Sequence, residues 1–214
     1  MPTLISLNGY VEESVFSFLA KQFRFDEVLG VDGGTQHLIK AGVKPSKILG
    51  DLDSIKGNTL LDVFSLKIPM LISYWDKDFT DGERAVQLSQ HVPIVLVGMV
   101  GDEIDHLVGN LSLLKMAYAN GKPAVAYGMR ETVVFGKDFV LHLPIGTTVS
   151  VLPTSQVILH EKGFKWDLDG VVWQRDKTPP ISNIVSEKSQ EIHASAEFFL
   201  VIKDYWNPFT ELTL

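Results

Sequence analysis

Over roughly the first 130 residues, short uninterrupted apolar runs alternate with stretches whose apolar residues recur every three or four positions. The runs at 3–7, 27–31, 47–49, 68–74, 94–97 and 124–126 read as strands. Between them, Val11, Val15, Phe18 and Leu19 form a helical stripe within 11–23. A second helix over 35–41 stops at Gly42, and a long third spans 104–119 and closes at Asn120-Gly121. Thr80 caps a further helix running to about Ser89, with Glu83 three residues on completing a capping box. Strand–helix alternation predicts a mostly parallel, Rossmann-like sheet with flanking helices. In such sheets ligands bind outside the carboxyl ends of the strands.

From Thr132 the period falls to two: Val133, Phe135, Phe139, Leu141 and Leu143, then Val149 and Val151, then Val157 and Leu159. Gly and Pro recur between these runs, at Gly136, Pro144, Gly146, Pro153, Gly163 and Gly170. Short punctuated strands predict a C-terminal β-sandwich or barrel. The expected division is 1–130 for the α/β domain and 131–214 for the β domain.

Composition narrows the functional classes. With 45% apolar and 21% charged residues, the 214-residue chain is ordinary globular material. The absence of cysteine excludes a disulfide scaffold, an iron–sulfur cluster and a thiol nucleophile. A net charge of −7 argues against a nucleic-acid partner, which would need Lys and Arg on phosphates. No apolar run is long enough for a bilayer, and the short apolar stretch 1–7 lacks a basic leader and a small-residue cleavage site, so no membrane partner and a cytoplasmic location are expected.

The acids are gathered. Asp51, Asp53, Asp78, Asp81, Glu83, Asp102, Glu103 and Asp105 are eight of the 26 acidic residues, and they fall in three short motifs at successive strand ends. In Gly50-Asp51-Leu52-Asp53-Ser54, two carboxylates one residue apart can face one hard cation such as Mg²⁺. In Lys77-Asp78-Phe79-Thr80-Asp81-Gly82-Glu83, helix capping accounts for Thr80 and Glu83 but leaves Asp78 and Asp81. Lys77 beside them suits a phosphate. The third motif runs from Gly98 through Asp102, Glu103, Asp105 and His106 to Asn110. Like charges concentrated on one rim repel unless a cation lies among them.

These stretches, in this order, resemble the thiamine pyrophosphokinase family. Asp32-Gly33-Gly34 followed by Gly50-Asp51-Leu52-Asp53-Ser54 resembles its D-G-G/A and G-D-x-D-S motifs, and Lys77–Ala85 its K-D-x-T-D-x-E-x-A motif. Asp105-His106 with Asn110 resembles its D-H…N, Gly163–Leu168 its G-L-K-W/Y-x-L, and Ser182-Asn183 its Ser-Asn pair. The chain departs from the family where Asp102 and Glu103 stand in place of a usual Gly-Arg. A carboxylate there would repel phosphate, so either another cation such as Arg84, Lys77 or Arg130 serves or the loop turns away.

The resemblance implies an α/β domain followed by a β-sandwich, and a homodimer with active sites between subunits. It implies diphosphoryl transfer from ATP to the hydroxyl of thiamine, giving thiamine diphosphate and AMP. On that reading Asp51, Asp53 and Asp78 hold Mg²⁺ on the phosphates, with Asp81 a further candidate. Lys77 touches a phosphate, and Asp32, Gly33, Thr80, Asp105 and Asn110 line the nucleotide side. Asp81 is the first choice for the general base and Asp51 the second. Trp166 would stack on the cationic, flat acceptor, with Ser182 and Asn183 hydrogen-bonding it from the partner subunit. Paired aspartates beside an α/β sheet also suit a metal-dependent phosphohydrolase or a nucleotide-sugar transferase. The Asp102-Glu103 departure suits a catalytically weakened thiamine- or nucleotide-binding protein.

Overall fold

A computed structural model of the chain describes residues 2–55, 57–73 and 78–211. It divides into two compact units, Met1–Met129 and Arg130–Leu214.

The first unit holds β1 (Thr3–Ser6), α1 (Glu13–Gln22), β2 (Glu27–Val31), α2 (Gly34–Lys40), β3 (Lys47–Gly50) and α3 (Gly57–Ser65). It continues through β4 (Met70–Ile72), α4 (Asp81–Leu88), β5 (Ile94–Val97), α5 (Ile104–Ala119) and β6 (Ala124–Tyr127). The strands lie in the order β6-β5-β1-β2-β3-β4, every neighbouring pair parallel. Such a sheet is stable when both faces are covered, and its central strands are then apolar throughout. β1, β2 and β5 are buried along their whole length. Ile94, Val95, Leu96 and Val97 are fully buried, each contributing about 1.5–3 kcal/mol. β4, at the edge, is half-buried at Met70 and exposed at Leu71 and Ile72.

Local chemistry sets the helix ends. Thr80 Oγ1 accepts from the Glu83 amide at 3.1 Å, and Glu83 Oε2 accepts from the Thr80 amide at 2.8 Å, so the capping box forms. Past α5 the chain turns on Asn120-Gly121, where the Gly121 amide donates to Tyr118 O at 2.9 Å. The helix α3 is not expected from the sequence. Leu61 and Phe64 are exposed on it, while Val63 is buried with Ile48, Ile55 and Ile68.

The second unit is antiparallel: β7 (Thr132–Leu141), β8 (Thr148–Pro153), β9 (Val157–Lys162), β10 (Leu168–Trp173), β11 (Asn183–Ile184) and β12 (Gln190–Ile202). The order is β10-β9-β12-β7, with β8 also on β12 and β11 on β8. β12 follows β7 along its length but divides its other edge, 191–194 pairing β9 and 198–202 pairing β8. Alternation is clearest in β9, where Val157, Leu159 and Glu161 are buried and Ile158, His160 and Lys162 are exposed. The register thus sets one carboxylate, Glu161, at a core position.

No helix among the described residues is long and apolar enough to cross a membrane. The architecture is a mixed α/β fold.

Candidate active site

Strand order in the first unit reverses at β1: β2, β3 and β4 follow on one side of it, β5 and β6 on the other. Connections leave the two sides of that point in opposite directions, opening a crevice at the carboxyl edge. Beyond the strand ends, β1 and β5 stay tied: Leu7 donates to Val97 O at 2.9 Å, Gly9 to Gly98 O at 2.8 Å and Tyr10 to Val100 O at 2.6 Å.

Across the crevice, the loops after β2 and β3 are stitched together. The Asp32 amide donates to Leu49 O at 2.9 Å, and Asp32 Oδ1 accepts from the Leu52 amide at 3.2 Å. The Gly33 amide donates to Ser54 Oγ at 2.8 Å, and Gln36 Nε2 donates to Ser54 O at 2.9 Å. Asp51 Oδ1 accepts from the Asp53 amide at 3.2 Å, holding that loop in a tight turn. Asp32 and Leu52 sit at φ 43° and 68°, conformations that non-glycine residues adopt only when their surroundings hold them.

This stitching, with the start of α4, brings Asp32, Asp51 and Asp81 together. Burial pushes the Asp32 carboxyl up to about 7. The Leu52 amide opposes that rise, while the charges of Asp81 and Asp51 and a hydrogen bond with Asp81 reinforce it. Asp51 and Asp53 are exposed. Asp78 is exposed just ahead of α4, and Thr80 is engaged in the cap. Lys77 lies outside the described residues.

The donor set is hard carboxylate oxygen at the open edge of a crevice, which fits Mg²⁺. That ion is commonly held by one or two carboxylates and completes its shell with water and phosphate oxygens. Among the described residues, no group of three or more His, Asp or Glu side chains converges closely enough to cage a metal by itself. Water and a bound phosphate chain would complete the shell of an ion held there.

The third motif is arranged differently. Asn110 Nδ2 donates to Met99 O at 2.9 Å, bracing the loop after β5 from α5. Asp105 is exposed and accepts from the neighbouring His106 amide at 2.9 Å. The two acids that depart from the family pattern have partners of their own. Tyr10 donates its hydroxyl to Asp102, a bond that raises the tyrosine's own pKa, and Glu103 pairs with His106 at 3.4 Å. Arg84 lies over the Phe79 ring, 5.7 Å from its centre.

In the second unit Trp166 is 54% exposed, with Lys165 Nζ 4.6 Å from the centre of its ring. Ser182 is exposed at φ 61°, its amide donating to Ser150 Oγ at 2.9 Å. Asn183 is buried, and its amide group bonds within the chain at all four of its hydrogen-bonding positions.

Three participants were not singled out individually by the sequence reading. Ser54 was visible as the last residue of its motif. Glu161 was signalled by an acid at an inward position of an alternating strand. Tyr10 carried no signal, because its link to Asp102 exists only through the β1–β5 pairing.

The family described as "Thiamin pyrophosphokinase, catalytic domain" matches residues 22–126. The thiamine pyrophosphokinase of Bacillus subtilis is 33% identical over 89 residues, a stretch covering 40% of this chain and 42% of that protein's length. Thiamine pyrophosphokinase 1 of Arabidopsis thaliana is 22% identical over 196 residues, covering 77% of this chain and 67% of that protein. Among solved structures, the enzyme from Geobacillus thermodenitrificans superposes with a TM-score of 0.80 at 25% identity, over 97% of this chain and 99% of that one. The Bacillus subtilis structure superposes at 0.83 with 19% identity, over 96% and 100%.

Proposed function

The chain belongs to the thiamine pyrophosphokinase family, and from that premise we propose that it transfers the diphosphoryl group of ATP to the hydroxyl of thiamine, releasing thiamine diphosphate and AMP. The observation that carries this reading is the convergence of Asp32, Asp51 and Asp81 at the carboxyl edge of the parallel sheet. All three lie inside the segment that matches the family's catalytic domain.

Phosphoryl-type transfer needs alignment and charge neutralisation more than covalent chemistry. The thiamine hydroxyl oxygen bonds to the β-phosphorus, the bond from that phosphorus to the α–β bridging oxygen breaks, and AMP departs with the bridging oxygen. The hydroxyl proton passes to a carboxylate, Asp81 first and Asp51 second. Asp51, Asp53 and Asp78 are the residues we assign to Mg²⁺, which when bound supplies positive charge against the phosphate oxygens. Gly33 and Asp32 wall the nucleotide side, and Lys77 meets a phosphate. Thr80 caps α4 and presents Asp81. Asn110 braces the loop after β5, and Asp105 stands beside it toward the nucleotide. Asp102 and Glu103 are held by Tyr10 and His106, which supports a loop that keeps its acids turned from the phosphates.

In the same reading the first unit is Rossmann-like and the second a β-sandwich that binds the acceptor through Trp166 and Ser182. A second copy supplies that surface, so the working form is a cytoplasmic homodimer.

Asp51→Asn, assayed with ATP, Mg²⁺ and thiamine, tests the metal assignment; AMP formation should fall at least about a hundredfold. Near-normal turnover would remove Asp51 from the metal site. AMP or phosphate released by the wild type without thiamine would favour hydrolysis.

A further inference from the structure

Glu161 lies at an inward position of β9, opposite Ile192 of β12, and is 4% exposed. A carboxyl group at a core position is costly unless it is bonded. One of its oxygens is bonded: Oε2 accepts from Asn183 Nδ2 at 2.9 Å, while Oε1 has no hydrogen-bond partner among the described residues. Burial raises the carboxyl's pKa, and the bond from Asn183 works against that rise. Retaining a buried acid in a sandwich-type core therefore calls for a reason beyond packing.

The Asn183 amide supplies one. Its second proton is donated to Trp166 O at 2.8 Å. Its oxygen accepts from the Trp166 amide at 3.2 Å and from the Ile184 amide at 2.9 Å. Two donors and two acceptors are the whole capacity of the group. Both backbone polar groups of Trp166 therefore end on one buried side chain, and Glu161 fixes which way that side chain faces.

Neighbouring bonds complete the restraint. The Lys165 amide donates to Ile184 O at 2.7 Å, Phe164 is buried against Val185, and Gly163 O accepts from the Ser186 amide at 3.0 Å. Yet the Trp166 indole itself is 54% exposed. A large aromatic face in solvent, pinned from behind at its backbone, has only its two side-chain torsions left to order on binding. Lys165 Nζ already lies over that ring, so the face accepts a cation.

We propose that Asn183, oriented by Glu161, is a positioning residue that fixes Trp166 against the flat cationic ring of the acceptor and does not itself touch the acceptor. This rests on the thiamine-acceptor reading above and deepens it. Asn183→Ala should raise the KM for thiamine about tenfold while kcat and the KM for ATP stay within about twofold. In a Trp166→Ala background, Asn183→Ala should add no more than about twofold, because the two residues act as one unit. Glu161→Gln, which keeps an acceptor for Asn183, should stay within about threefold of wild type.

Hydrogen exchange provides a readout independent of activity: the Trp166 and Ile184 amides should exchange at least about a hundredfold faster in Asn183→Ala. Should that variant fail to fold, Asn183→Asp keeps both acceptor bonds, loses both donor bonds and enters the same cycle. Multiplying effects of Asn183 and Trp166 on thiamine KM would show direct contact and overturn the proposal. So would an unchanged thiamine KM, or, in Asn183→Ala, Trp166 and Ile184 amides that exchange as in wild type. Wild-type protein that forms no AMP with thiamine would overturn the functional reading instead, while the exchange result would still stand or fall on its own.

Discussion

A Cβ placed on Gly50 would lie 1.6 Å from Asp32 Oδ1, so the last residue of β3 is glycine because the carboxylate of the β2 loop occupies its side-chain space. Gly50 also sits at φ 130°, which L side chains rarely adopt. Sterics and conformation together bring Asp32 against the Asp51 loop.

Gly50→Ala is therefore expected to push Asp32 off the Leu52 amide and spread the acidic cluster. We expect a loss of about 2 kcal/mol or more in stability and at least about a tenfold fall in kcat/KM for thiamine-dependent AMP formation. Thermal unfolding and steady-state kinetics on the same preparation would check this. Full activity with wild-type melting would mean that the contact does not shape the site.

Lys122 closes the far end of α4. Its ammonium donates to Val86 O at 2.9 Å, Ser89 O at 3.1 Å and Gln87 O at 3.2 Å, carbonyls that the helix end leaves over. Lys122→Met keeps most of the stem but removes the charge and its donors. The expected cost is about 2 kcal/mol, or a fall of roughly 4–8 °C in melting temperature. Because α4 carries Asp81 at its other end, activity per folded molecule should change less than stability. Unchanged melting would show that water replaces the ammonium without cost.

Glu161 makes stability depend on pH with a definite sign. Burial holds its carboxyl above the ordinary glutamate range, so the unfolded chain ionises first as pH rises. Between the two values the unfolded chain binds fewer protons, and the fold loses stability as pH increases, levelling off above the folded value. Glu161→Gln removes that term. The melting-temperature advantage of the variant over wild type should be smallest near pH ~4 and grow by about 2 °C or more toward pH ~7. An advantage that shrinks with rising pH would mean that the buried carboxylate is favoured by its surroundings.

Much of the first unit was legible in the sequence. The strands at Glu27–Val31 and Ile94–Val97 and the helix at Ile104–Ala119 fall where periodicity and the Asn120-Gly121 stop place them. The capping box at Thr80 and Glu83 formed as its spacing requires, since both bonds are local. The helix at Gly57–Ser65 was not legible, because Leu61 and Phe64 face solvent and blur the apolar stripe. Neither was the fate of Asp102 and Glu103. Only the pairing of β1 with β5 brings Tyr10 to Asp102.

The sequence by itself determined the residue types and their order: acids at successive strand ends, glycines beside them, an alternating second unit and an exposed-type tryptophan loop. Those are consequences of spacing along one chain, which local backbone geometry converts directly into helices, strands and caps. The tertiary structure alone decided which acids meet and which are held apart. Strand order carries Asp81 to Asp32, and strand register turns Glu161 inward to Asn183. Both depend on how distant segments pair, and no separation along the chain encodes that choice.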